Sequence, residues 1–443
     1  MNTIIKQIKR IPLLLLGLSL SGAVYAQQTL QLKDALNYAL QNNVKLRKAK
    51  LDIDKGRYKV EEVRAQALPQ LTGNAGLNYN PIIGQIVFGD QAIPLGKTWN
   101  SSAGVQLSQQ IFNQQVFTGL QAARSSEEFY NLTSELTEEQ IIELVANNYY
   151  QVLVSRQQLT VIDNNIKNVT ANENTIAANY KNGLAKKIDV DRIRVRLTNL
   201  QTQREQTFNS ITQLENQLKF AMGMQINNSI TLPKTELNEA IELPELADTV
   251  NLDNRTEIKL LNTQDKLLSL QRKAYVSEYY PTLALSGNYT YSSQSGSFDF
   301  LKSNTSAIGY GASAIGLTLK VPIFNGFLTR SKVRQADVEI KKAKEDRRES
   351  VNLLNLAYDN AKNQLRFSLN AINAQRKNAT MANDIYKSTQ NNYNNGLATL
   401  TDLLDTESSL TDAQNSYTQA LLNYKIAEIQ LIKSNGNIKS LLQ

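Results

Sequence analysis

One unit is written twice in this chain, with its landmarks about 212 residues apart. Ala67-Leu68-Pro69-Gln70-Leu71 returns as Tyr279-Tyr280-Pro281-Thr282-Leu283. Ile111-Phe112-Asn113 returns as Ile323-Phe324-Asn325. Asn179-Tyr180-Lys181-Asn182-Gly183-Leu184-Ala185 returns as Asn392-Tyr393-Asn394-Asn395-Gly396-Leu397-Ala398. Three matches in one order and register define a duplication, which sets the architecture before any single element is considered. At 443 residues the length alone would suggest two to four domains. The repeat argues instead for one architecture in two halves, 27–224 and 257–443, joined by 225–256.

The N-terminus reads as a secretory signal over 1–26. Lys6, Lys9 and Arg10 precede the apolar stretch Ile11 to Leu20, and Val24-Tyr25-Ala26 offers a cleavage site. That stretch is too short for a membrane-spanning helix, which needs roughly 20 apolar residues. There is no cysteine, hence no disulfide and no lipid anchor on a cysteine. There is no histidine, which removes the usual general base and the commonest metal ligand. The net charge of +8 falls to +5 without the signal cations. The run Lys341-Lys342-Ala343-Lys344 is followed at once by Glu345-Asp346, a solvated helix face and not a nucleic-acid stripe.

Residues 30–66 carry a helical apolar face through Leu32, Ala35, Leu36, Ala39, Leu46, Ala49 and Ile53, and Pro69 ends it. The period then becomes two. Leu71, Gly73, Ala75, Leu77 and Tyr79 alternate with polar or small residues. After a Gly/Pro-bearing stretch, Asn80 to Asn100, the pattern resumes at Ala103, Val105, Leu107 and Ile111. The second copy repeats it at Leu283, Leu285, Tyr289 and Tyr291, and again at Ile315, Leu317, Leu319, Val321 and Ile323. These are hairpins at about 69–112 and 281–324. Each run is about 10 residues, the length at which a tilted strand crosses a bilayer. The alternative is a pair of ordinary amphipathic hairpins; the signal peptide, the aromatic ends and the polar alternate face favour the membrane.

From Gln114 to Asn182 there is no proline, and at 1.5 Å per residue this segment makes a helix of roughly 100 Å. Val145, Val152, Leu159, Ile166 and Tyr180 fall on a seven-residue spacing, with Ile162, Val169 and Ile176 beside them, as in a coiled-coil seam. The second long helix runs from Gly326 to Asn395. The returning helices keep the repeat at Leu403, Leu410, Tyr417, Tyr424 and Leu431, and at Val190, Leu197, Ile211 and Leu218 with Arg204 interrupting. Residues 225–256 read equally as an irregular packing segment or a simple connector.

Four strands cannot close a barrel, and an open sheet edge in hydrocarbon costs several kcal/mol per unpaired backbone group. Other copies must supply strands. An eight-strand barrel is filled by its own side chains. The alternate positions here are Gly, Ser, Thr, Asn and Gln, which suit a wetted wall, so twelve strands from three chains is the better inference. Two rivals stand beside it. A passive porin leaves the long helices unexplained, and a solid trimeric coiled-coil spacer needs only one narrow seam per helix. An enzyme is the weakest reading.

The chain resembles the TolC-type outer-membrane efflux proteins over nearly all of the mature sequence. The resemblance rests on Leu30-Gln31-Leu32-Lys33-Asp34-Ala35-Leu36-Asn37-Tyr38-Ala39-Leu40, on Val321-Pro322-Ile323-Phe324-Asn325-Gly326, and on Tyr393-Asn394-Asn395-Gly396-Leu397. It implies an α+β membrane protein, a homotrimer whose 12-stranded outer-membrane β-barrel continues into a periplasmic α-helical barrel. It further implies an exit duct without catalysis or cofactor, partnered by a periplasmic adaptor and an inner-membrane transporter. Two departures stand out: Gln110 occupies the place of Pro322, and the lipid-anchored cysteine of some members is absent.

The resemblance also implies an aperture gate at Asp402 and Asp405, which share one helix face. Six such carboxylates in a trimer would attract cations and repel anions. The alternative is that acids are simply favoured in a helix's first turn. The family's latch matches at Asp189 and Tyr393, but its arginine position is Ala398 here. Lys181 to Arg196 carries six cations against two acids, and Tyr393 to Asp412 carries four acids and no cation. Arg192 pairing with Asp402 or Asp405 is therefore the expected replacement. The turns Gly183-Leu184 and Gly396-Leu397 are the expected adaptor-docking tips, with ordinary glycine capping as the plain alternative.

Overall fold

The computed structural model describes residues 29–233, 252–298 and 307–443. The signal-peptide reading over 1–26 lies outside them, as do residues 234–251 of the joining segment.

The expected helix over 30–66 is two helices, α1 (Leu32–Asn42) and α2 (Val44–Ala65). Asn43 makes the break. Its backbone is extended, its Oδ1 accepts from Lys45 N at 2.8 Å and Leu46 N at 3.3 Å, and its Nδ2 donates to Ala221 O at 2.6 Å. Asparagine is among the best N-caps, so a local polar preference overrides a continuous apolar face.

The chain then enters the sheet through β1 (Gln70–Tyr79) and leaves it by β4 (Trp99–Phe112). Between them β2 (Gln85–Phe88) and β3 (Gln91–Pro94) form a small separate hairpin. The second copy supplies β5 (Thr282–Ser295) and β6 (Ile308–Lys320). The four long strands pair antiparallel in the order β1-β4-β5-β6, so β4 and β5 join the two copies. Three of them exceed the expected ten residues, which carries their ends beyond the hydrocarbon.

The register sorts the side chains cleanly. Leu71, Leu107, Gly287 and Ile315 form one cross-strand row, and Ala75, Ala103, Tyr291 and Gly311 another on the same face. The opposite face carries Asn74, Gly104, Thr290 and Ala312, and Thr72, Gln106, Asn288 and Ala314. One face is greasy and the other is mostly polar or small, as a barrel wall between lipid and water requires.

The strand-to-helix bends differ between copies. With Gln110 in the first copy, β4 keeps pairing through a bulge to Phe112, and Asn113 caps α3 (Gln114–Lys181) through Gln115 N at 3.0 Å. In the second copy β6 ends before Pro322, which has no N–H to give the ladder. Gly326 and Phe327 then adopt left-handed backbone (φ +65° and +66°) to start α6 (Leu328–Asn394).

α3 and α6 have 68 and 67 residues, about 100 Å each at 1.5 Å per residue. Each turns back into a shorter helix, α4 (Lys187–Met222) and α7 (Leu400–Ser434), and α5 (Thr256–Ser277) is the second-copy counterpart of α2. On the side toward the sheet the helices pack in the order α2-α3-α5-α6; toward the tips the order is α4-α3-α7-α6. Where the two arrangements meet, Ala35, Leu36, Leu46, Ile142, Val145, Leu218 and Met222 form a dry core. Leu232 of the joining segment is buried in it.

The layer is open at both sides. β1 and β6 are unpaired sheet edges on the two flanks. The same flanks expose apolar side chains: Leu51, Tyr58, Val195, Phe208 and Phe220 along α2 and α4, and Leu353, Phe367, Met381 and Ile385 along α6. β1 and β6 run in opposite directions, so the β6 of one copy meets the β1 of the next antiparallel. Strand and helix edges therefore close by the same rotation.

Candidate functional site: the helical tip

At the end far from the sheet, four helices converge on a second dry core. Val169 and Ile176 of α3, Val190, Ile193 and Leu200 of α4, Tyr386 of α6, and Leu400, Leu403 and Leu410 of α7 are buried together. Burying each such side chain stabilises by about 1.5–3 kcal/mol. Exposed ion pairs are worth about 0–1 kcal/mol. Apolar seams hold the tip together, and the polar groups decide how it is set.

Both turns have one construction. Leu184 N donates to Asn179 O at 2.8 Å and Gly183 N to Tyr180 O at 3.0 Å; Leu397 N donates to Asn392 O at 2.8 Å and Gly396 N to Tyr393 O at 3.0 Å. This is the Schellman closure, which needs a left-handed residue, and Gly183 and Gly396 supply it with φ of +74° and +73°. The motif points the next residue outward. Leu184 and Leu397 are 79% and 78% exposed, two apolar knobs on the rim.

Asp402 closes the first turn of α7. Its Oδ2 accepts from Thr399 N at 2.9 Å and Thr399 Oγ1 at 2.7 Å, while Thr399 Oγ1 accepts from Asp402 N at 3.2 Å. The Thr399 hydroxyl, then its backbone N–H, hold the Asp402 carboxyl below its ordinary value. Asp189 stands at the same place in α4 and accepts from Lys186 N at 3.3 Å. Asp405, one turn on, is exposed. Tyr393 packs against the tip core; burial and then the Asp189 carboxylate push its hydroxyl above the usual tyrosine value.

Arg192 reaches α7, where its Nη1 donates to Thr401 Oγ1 at 3.3 Å. Among the described residues no ion pair joins it to Asp402 or Asp405 in this conformation. The tight pair is one turn further on. Arg196 Nε lies 2.5 Å from Glu407 Oε2, and Glu407 is only 3% exposed. Thr411 donates to Glu407 Oε1 at 3.1 Å, and Asn165 Nδ2 donates to Thr411 Oγ1 at 3.0 Å. One polar chain thus links α4, α7 and α3. Arg194 pairs with Glu173 at 3.0 Å, and Asn172 donates to the Tyr386 hydroxyl at 3.3 Å.

Sequence reasoning passed over Arg196 and Glu407, yet the spacing carried the signal. Arg196 stands three after Ile193 and four before Leu200; Glu407 stands four after Leu403 and three before Leu410. Each is a charge on a seam face, and a charge there needs a partner.

A duplicated hairpin-and-helix layer with open flanks, a bilayer-length amphipathic sheet and a gathered helical tip define a channel-forming outer-membrane protein. The outer membrane efflux protein family matches residues 35–224 and 252–437, and the chain belongs to that family. It is 25% identical to the outer membrane protein TolC of Vibrio cholerae over 428 residues, covering 95% of this chain and 93% of that one. The Salmonella enteritidis TolC is 24% identical, covering 98% and 87%. Among solved structures, the fold resembles CusC (TM-score 0.76, 16% identity, 92% of each chain). It also resembles the open-state MtrE channel of Neisseria gonorrhoeae (TM-score 0.73, 18% identity, 94% of this chain and 91% of that). The chain is therefore an efflux duct of the Gram-negative outer membrane with a periplasmic extension, and its open flanks fit the trimeric barrel of the family.

Proposed function

We propose that the tip is the controlled aperture of this duct, with Asp402 and Asp405 as its carboxylate ring and Arg192 as the element of its latch. Three chains bring six carboxylates to one rim. Arg192 lies on the neighbouring helix with its guanidinium on Thr401, the residue before Asp402. That single placement carries the reading, since a small shift of α4 along α7 exchanges the hydroxyl for a carboxylate. Asp189 beside Tyr393 supports a second strand of the same latch. The exposed Leu184 and Leu397 knobs, on their glycine turns, are the docking points for a periplasmic adaptor, which couples the duct to an inner-membrane transporter. The signal segment 1–26 is removed on export.

Single-channel recording from the trimer in planar bilayers tests this. Asp402→Asn with Asp405→Asn abolishes cation preference, read as a reversal potential moving toward zero in a salt gradient. Arg192→Glu raises closed-state conductance. Unchanged selectivity in the first variant rejects the ring, and unchanged conductance in the second rejects the latch.

A further inference from the structure

The hairpin β2–β3 carries an unused feature at the opposite end of the molecule. It rises beyond the outer ends of β1 and β4 and turns at Gly89-Asp90, with Gly89 (φ +63°) at the position where a type II′ turn favours glycine. It is not the polar loop expected of a surface that faces water. Ile82, Ile86, Val87, Phe88, Ile93 and Leu95 are exposed, Ile82 by 89% and Phe88 by 79%. Both faces of the hairpin are apolar, and among the described residues none covers them.

Its direction is set by the segment that brings it back into β4. Asn100 and Gln294 pair on the polar, lumen-side face of the sheet. Asn100 Nδ2 donates to Lys97 O at 3.1 Å, and Gln294 Oε1 lies 3.1 Å from where a Cβ on Gly96 would stand. Gly96 and Lys97 therefore sit against two side chains of the lumen-side face, so the hairpin starts from the inner side of the rim. The lipid-side rim is occupied by Tyr79, Trp99 and Phe298, with ring centroids 4.6 Å and 5.0 Å apart. Twelve strands about 4.8 Å apart and tilted about 40° make a barrel of about 12 Å radius. An arm of about nine residues spans up to about 30 Å. The hairpin is long enough to reach the axis.

We propose that the β2–β3 hairpins of the three protomers pack on one another across the outer mouth as an apolar lid, a closure separate from the one at the tip. The occupant of each exposed apolar face is a second copy of the same hairpin. The threefold axis brings those faces together. The inference rests on the trimeric reading.

The test uses the full-length trimer, whose lack of cysteine makes single substitutions unambiguous. Phe88→Cys and Val87→Cys are placed on opposite faces of the hairpin, with Ala75→Cys on the lipid face of β1 as a control. A short bismaleimide applied to intact cells is expected to convert most of the Phe88→Cys or Val87→Cys chains to cross-linked dimers and to leave Ala75→Cys monomeric on a denaturing gel. An intact trimer in which neither hairpin variant cross-links overturns the lid and leaves the duct reading standing. A fluorophore on Cys at position 88 that is quenched by nitroxide lipids also overturns it, because the hairpin then lies in the membrane surface. A species shown to be monomeric before cross-linking would instead defeat the trimeric reading itself.

Discussion

At Asp402 one carboxylate has two tasks. It completes the first turn of α7 through Thr399, and it stands on the rim where a charged ring would act. The capping task has a definite pH signature. The folded-state value lies below the ordinary one, so the cap's contribution is fully present above the ordinary carboxylate value of about 3.9 and is lost as pH falls through the lower folded value. Amide protection at residues 399–405, the intrinsic exchange rate relative to the observed rate at each pH, should be high at neutral pH and fall only in that acid window. In Asp402→Asn the protection should be low throughout and lose that step. An acid step that survives the substitution would assign the cap elsewhere. Arg196 and Glu407 raise the opposite question, since their pair is shielded from water on the Glu407 side. Arg196→Met leaves a buried carboxylate without its counter-charge, at a cost on the order of 3 kcal/mol; adding Glu407→Leu should restore most of it. Urea unfolding of the unsubstituted protein and the two variants separates the outcomes, and a double variant as weak as the single would show that the pair is not what is lost.

At the scale of elements, the tips are legible and the bends are not. The Asn-Gly repeat foretold both turns because a Schellman closure has a narrow requirement, a residue that tolerates positive φ. The proline-free runs ending at the Asn-Gly turns foretold the long helices to within a few residues at either end. The break at Asn43 was missed because an apolar face can continue in sequence while a cap interrupts the backbone. The β2–β3 hairpin lies in the Gly/Pro-bearing stretch where the long alternation lapses, although Gly89-Asp90 between two short apolar runs is itself a hairpin signal. The rim knobs make an element-scale prediction. Leu184→Asp with Leu397→Asp should leave trimer yield unchanged, since both side chains are about four-fifths exposed, and should reduce co-purification of the adaptor at least tenfold after mild cross-linking. Undiminished adaptor recovery would place docking away from the turns.

For the molecule as a whole, the two faces of one sheet face different solvents. Val105 sits in the apolar row with Gly73 and Tyr289, and Gln106 beside it sits in the polar row with Thr72 and Asn288. Val105→Arg should cost about 2–4 kcal/mol near the bilayer midplane, while Gln106→Arg should be tolerated. Yield of heat-modifiable trimer in the outer membrane reads the difference, and equal yields would mean that the faces are not sorted between lipid and water. By itself the chain's pattern determined the duplication, the strand faces, the long seams, the glycine turns and the need for partner copies. All of these depend on period or on a local backbone requirement, and both are written along the chain. The Arg196–Glu407 pair, the placement of Arg192 on Thr401 and the seating of Lys97 against Asn100 came from packing. They join residues from about 3 to more than 200 positions apart, and no spacing rule says which of several neighbouring charges or amides a folded side chain will reach.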